Sequence, residues 1–289
     1  MAISASEVNE LRKKTGAGMM DCKKALTESE GNFDKAIEIL RKKGAAVAAK
    51  RAERSANEGI VLTKISDDLQ TAYMVEVNCE TDFVGLSADF LSFADLVLAT
   101  VIKFNPANVE ELLTLTNDGK NIGVELGDLI GRIGEKIAIS RFVIEKANDG
   151  VIADYIHHGS KLGVLLRADN NTNGNNAELT ALLKNIAMQV ASMSPSFLYR
   201  EEVPTEVLNN EIEIYKALAR KEGKPENILE RIATGKLNKY YEDNCLFEQT
   251  YVKDNTKKIS DLVAEYNKKY STNAKLVSYY RYHLSDEKK

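Results

Sequence analysis

The sequence has little of what metal, disulfide or membrane chemistry would need. It holds three cysteines and three histidines in 289 residues. Cys22, Cys79 and Cys245 form no CxxC pair and are odd in number, which excludes a disulfide framework and predicts reduced, buried thiols. His157 and His158 fall at an expected strand end, where neighbours point to opposite faces; this argues against a shared metal site and for structural or interface roles. No apolar run approaches the ~20 residues of a membrane span. Met1-Ala2-Ile3-Ser4 lacks the basic-then-apolar order of a signal peptide, so a cytoplasmic location is expected. The formal net charge of −4 supplies no global attraction for nucleic acid or anionic membrane.

Catalytic and nucleotide-binding signatures are also missing. Gly127, Gly131 and Gly134 do not have phosphate-loop spacing. Gly235-Lys236 fails as well, because Glu230 stands at the first glycine position and Leu237 follows the lysine. No HExxH or GxSxG occurs. The expectation is a protein that is not an enzyme, with no catalytic residue, no metal or cofactor site, and no direct contact with nucleotide or nucleic acid.

What is present reads as three kinds of segment. Residues 1–44 are expected to form three short helices, the first capped by Ser6 and the third ended by Gly44. Met19, Cys22 and Leu26 have helical spacing. A core this small suits a docking module. Residues 45–58, rich in alanine and carrying Lys50, Arg51 and Arg54, read as a solvated helical linker; the charges are few and no aromatics are interleaved. From residue 59 the pattern changes. A β-hairpin over 60–77 precedes a helix over 87–103 with Phe90, Ala94, Val97 and Val101 on one face. A helix around Leu126 and Ile130 and a strand over 137–144 complete a first lobe, 59–147. The order then recurs over 148–289, with strands at 151–157 and 162–168, a helix at 177–193 and a last strand at 275–283, which suggests a duplication. Into this second lobe is inserted 205–244, where Leu208, Ile212, Tyr215 and Ala219 follow 4-3-4 spacing and Gly223-Lys224-Pro225 breaks the run, as in an antiparallel helical hairpin. The fold class is thus α+β: three N-terminal helices, then a two-lobed core with antiparallel sheets.

Between the first hairpin and its helix lies Asn78-Cys79-Glu80-Thr81-Asp82-Phe83-Val84, a polar and acidic turn with an aromatic at its tip. Turns held on rigid flanks often carry function. The plainer reading makes Thr81 or Asp82 a helix N-cap and Phe83 a core residue.

Residues 11–26, from Leu11-Arg12 through Thr15-Gly16-Ala17-Gly18-Met19-Met20 to Ala25-Leu26, resemble the opening signature of the bacterial translation elongation factor Ts family. Residues 76–84 resemble its second signature. Tyr155-Ile156-His157 with Gly163-Val164-Leu165, then Ile186-Ala187-Met188 with Pro195, then Cys245-Leu246 with Gln249 continue the likeness in order. The resemblance implies a guanine nucleotide exchange factor of translation elongation. Such a factor promotes GDP release from elongation factor Tu by displacing its magnesium ion and stabilises the nucleotide-free state. It implies that the three-helix unit is ubiquitin-associated-like and docks on the partner through positions matching Arg12, Met19 and Met20. Thr81, Asp82, Phe83 and Val84 would enter near the partner's nucleotide, and His157 would reach another partner domain. Self-association through the hairpin or second lobe, giving a homodimer, is a further implication. Glu80 stands where a glutamine is common, and His158 where a small residue is common. The chain stops at Lys289, so a C-terminal helix that touches the partner in some members is expected to be absent. The three helices alone suggest a different function, an adaptor that binds a ubiquitin-like module.

Overall fold

The computed structural model describes residues 3–172 and 174–286; Met1-Ala2 and Lys289, on which the expectations about the chain ends rest, lie outside them. Three helices open the chain: α1 (Ala5–Thr15), α2 (Met19–Glu28) and α3 (Phe33–Arg51). Ser4, not Ser6, caps α1. The Ser4 hydroxyl accepts from the Glu7 amide and the Glu7 carboxylate accepts from the Ser4 amide, a reciprocal pair that needs a spacing of three. Val8, Leu11, Cys22, Ala25, Leu26 and Ala36 form a small core of their own.

The third helix does not end at Gly44. It runs two more turns, to Arg51, because Gly44 serves close approach and not termination. A Cβ there would lie 3.1 Å from the Gly127 carbonyl oxygen, and a Cβ on Gly131 would lie 2.8 Å from the Gly44 Cα. Glycines on both helices let their backbones touch.

The rest is α+β. After α3 come β1 (Glu58–Ile65), β2 (Thr71–Cys79), the single turn α4 (Asp82–Gly85), α5 (Ala88–Phe104), α6 (Val109–Thr114), the two-residue strands β3 (Thr116–Asn117) and β4 (Lys120–Asn121), α7 (Ile122–Ile133) and β5 (Ile137–Lys146). Then follow β6 (Val151–Ile156), β7 (Leu162–Asp169), α8 (Asn176–Met193), α9 (Thr205–Lys221), α10 (Glu226–Asn244), β8 (Thr250–Tyr251), β9 (Asp254–Lys258), α11 (Ile259–Tyr270) and β10 (Lys275–His283).

Two three-stranded antiparallel sheets share one plan. In each, a hairpin is followed by helices and a third strand that returns beside the hairpin's second strand, giving β1-β2-β5 and β6-β7-β10. The sheets stack face to face. Alternate residues of β2 separate the two sides: Val75, Val77 and Cys79 meet α5 and α7, while Ala72 and Met74 meet Ile152 and Leu165 of the second sheet. Burial on both faces fits the apolar Ala72, Met74, Val75, Val77 and Cys79, while the buried Glu76 and Asn78 accept hydrogen bonds from Arg141 and Ser140. The outer face of the second sheet is covered by α8 and α11. Main-chain bonds also join the sheets: the Val61 amide donates to Ser160 O at 2.7 Å and the Ile152 amide to Leu69 O at 2.8 Å.

Helices α9 and α10 lie along one another. Ala219, Leu229, Ala233 and Leu237 are buried between them, Leu208, Ile212 and Tyr215 are half-buried, and Arg220 pairs with Glu226 across the turn. His157 and His158 are not in a strand. β6 stops at Ile156 and both histidines sit exposed in the turn that follows.

Candidate functional site

The register between β2 and β5 builds the site. Cys79 lies opposite Ile137 in this antiparallel pair. The chain beyond Cys79 therefore runs beside the chain before Ile137, which brings Glu80 to Lys136 and Thr81 to Glu135. The Thr81 amide and hydroxyl both donate to the Glu135 carboxylate, at 3.1 and 2.9 Å. The same hydroxyl accepts from the Val84 amide at 3.4 Å and caps α4. Asp82 accepts from the Phe83 amide at 2.9 Å.

The result is a stiff turn with an apolar tip. Phe83 is 83% exposed and Leu86, three residues on, 78% exposed. The plainer reading held for Thr81, which is an N-cap, and failed for Phe83, which is not in the core. Most of its ring surface therefore faces water in the free protein. Val84 faces inward, against the first lobe's core.

Beneath the tip, the Cys79 thiol donates to Thr81 O at 3.1 Å. Burial, with the charges of Glu135 and Glu58 second, pushes this thiol up to about 12. It stays protonated and has no nucleophilic use. Glu80 accepts from the Lys136 amide at 2.6 Å, from Arg51 at 2.9 Å and from Arg54 at 3.1 Å. The Lys136 amide first, then the two guanidinium groups, hold its carboxyl at about 2.

The His157 turn lies beside this one. Ser160 is bonded to Val61 on β1, and Lys161 pairs with Glu58, whose register partner is Cys79. Glu58 raises the Lys161 pKa, and Asp82 adds to the effect more weakly. His157 Nδ1 is 2.8 Å from the Tyr155 hydroxyl, with the imidazole exposed. Thr81, Asp82, Phe83, Val84 and His157 thus share one end of the stacked sheets.

Arg12, Met19 and Met20 are elsewhere, on the outer face of α1 and α2. Met19 is 51% and Met20 64% exposed, so the helical spacing of Met19 with Cys22 did not bury it. α3 links this face to the base of the turn, and the α1–α2 connection at Gly16 lies against Arg132 of α7. Glu135 and Lys136 were missed by sequence reading; they follow the Gly134 turn in an ordinary charged stretch, and only the β2–β5 register reveals them.

Among the described residues no group of three potential metal ligands occurs, and no helix is long and apolar enough to cross a membrane. Comparison with known proteins bears on the whole chain. The family model "Elongation factor TS" matches residues 80–286, beginning at the turn itself. Elongation factor Ts of Chlorobium phaeobacteroides (strain BS1) is 44% identical over 286 residues, covering 98% of both chains. That of Trichlorobacter lovleyi is 45% identical over 268 residues, 91% of this chain and 86% of its own. That of Clostridium perfringens (strain SM101 / Type A) is 43% identical over 281 residues, 97% of this chain and 92% of its own. With likeness of this extent, the chain belongs to the elongation factor Ts family.

Proposed function

We propose that the chain is the guanine nucleotide exchange factor of translation elongation, acting in the cytoplasm on elongation factor Tu and catalysing no covalent chemistry. The observation that carries this reading is Phe83, exposed at the tip of a turn braced from below by Glu135. A flexible loop would lose its entropy on insertion; a capped turn has already lost it.

Two side chains act differently. Phe83 wedges into apolar surface near the partner's nucleotide. Asp82 brings a carboxylate toward the magnesium ion that holds the diphosphate there. It competes for the cation or its water shell and repels the phosphates. GDP affinity falls, and by linkage the factor's own affinity falls to the same extent while GDP is bound. The nucleotide-free complex is the stable one, and GTP entry expels the factor.

The helical unit, ubiquitin-associated-like and with α3 running on to Arg51, docks through Arg12, Met19 and Met20. His157 contacts a further part of the partner. The α9–α10 hairpin is a unit separable from exchange and a candidate surface for self-association.

The test is release of labelled GDP from the partner GTPase, with and without this protein. Asp82→Asn keeps the shape and removes the charge. Its defect should be evident when metal loss limits release and should shrink once a chelator has stripped the magnesium. Release unaffected by wild-type protein would refute the proposal.

A further inference from the structure

The docking face and the wedge belong to different parts of the chain, joined by the packing of α3 on α7 at Gly44, Gly127 and Gly131 and, nearest the turn, by a polar cluster. The C-terminal end of α3 is held to the base of the turn by two interlocked residues. Glu80 receives Arg51 and Arg54 from the helix end and the Lys136 amide from the start of β5. Lys136 reaches back, its ammonium donating to Ala52 O at 2.6 Å and to Arg54 O at 2.8 Å. Each residue thus binds both the helix end and the other. The Glu80 side chain is 17% exposed and that of Arg51 25%, so the pair is shielded in part from water and salt.

We propose that Glu80 is a positioning residue for exchange: with Arg51, Arg54 and Lys136 it latches the docking helices to the Asp82–Phe83 turn, so that binding energy gained at Met19 and Met20 is spent on aiming the wedge. This rests on the exchange reading above. The physical need is plain. Remote binding energy accelerates a step only if it is transmitted to the reacting centre through a stiff connection. A misplacement of about 1 Å can cost ~100-fold in rate. A carboxylate suits the latch because three N–H donors converge on it and both of its oxygens accept. Glutamine would keep one carbonyl for the Lys136 amide and turn an NH2 toward the arginines. Lysine would offer no acceptor and would repel them.

The experiment uses the full chain with Glu80→Gln, Glu80→Lys and the double variant Arg51→Gln/Arg54→Gln, which leaves the turn itself untouched. Labelled-GDP release is measured over a range of protein concentration. The expected result is a loss of maximal rate of ~10- to ~100-fold for Glu80→Lys. Smaller, similar losses are expected for the other two, with the half-saturating concentration moving far less. Spin labels at Lys23→Cys and Lys64→Cys give an independent readout, a distance distribution that broadens in the same order. Wild-type rates in folded variants would overturn the proposal. So would a fall in rate with no broadening, or broadening with no fall in rate. If wild-type protein itself releases no GDP, the exchange reading fails, while the distance distributions still decide whether the latch exists.

Discussion

Thr81 binds Glu135 twice, through its amide at 3.1 Å and its hydroxyl at 2.9 Å, and the same hydroxyl accepts from the Val84 amide. One carboxylate therefore fixes both the entry of the chain into the turn and the residue that caps it. Thr81→Val retains the shape and the amide bond but removes the cap and one bond to Glu135. It should cost about 1 kcal/mol of stability. Exchange should fall further than stability does, since the tip is aimed by the lost bonds. Urea unfolding alongside GDP release checks both.

Phe83→Ala should leave stability nearly unchanged, because the ring is exposed in the free protein. Its effect lies in the complex. Burying a phenylalanine contributes about 1.5–3 kcal/mol, which corresponds to a ~10- to ~150-fold slower release. Abolition of exchange by this change alone would show that the ring does more than wedge.

Met19→Ala and Met20→Ala remove thioether surface that is half or more exposed. Each should weaken binding to nucleotide-free partner by about 1–2 kcal/mol, with helicity retained. Calorimetry of the complex and circular dichroism of the free protein distinguish this from unfolding. Unchanged affinity in a folded double variant would remove the docking role.

Glu80 makes a prediction about acid. Its ordinary value of 4.5 is lowered to about 2 in the folded chain. Between those values the unfolded state binds the proton and the folded state does not, so folding loses stability as pH falls through this window. Above about pH 4.5 the full contribution is present. Glu80→Gln should therefore be less stable than wild type at neutral pH, and the gap should close as pH falls from 4.5 toward 2. Denaturation midpoints at a series of pH values test the sign; a gap that widens in acid would contradict it.

Gly131→Ala and Gly127→Ala separate close approach from helix propensity. A Cβ on Gly131 would meet the Gly44 Cα at 2.8 Å, whereas one on Gly127 meets nothing within 4 Å. The first should destabilise by about 1–3 kcal/mol as α3 and α7 are forced apart. The second should stabilise by up to about 1 kcal/mol. Thermal unfolding of the two variants should move in opposite directions.

Elements with a clean period were legible in the sequence. The β1–β2 hairpin, α5, α8 and β10 stand within a few residues of where alternation or helical spacing puts them. α11 was not read: Ile259, Val263 and Tyr266 are its buried residues, and Asp261, Glu265, Lys268 and Lys269 are interspersed among them and after them. Gly44 was read as a stop because sequence shows a missing Cβ but not the neighbour that requires it. At the site, the residues of the turn were legible as a motif, and their support was not. Glu135 lies 54 residues from Thr81 and Lys136 lies 56 from Glu80. Pairings at that distance follow from strand register, which no local pattern encodes.

The two main-chain bonds between the sheets have a consequence for inheritance. Side chains drift, but an amide and a carbonyl are present whatever residue occupies a position, proline's missing N–H aside. The bond from the Val61 amide to Ser160 O therefore stays in place whichever side chains those two positions carry, and it is one of the ties between the Phe83 turn and the His157 turn. A substitution at Val61 or Ser160 leaves this bond standing, so a partner that spans both turns meets a distance part of which is written in the main chain.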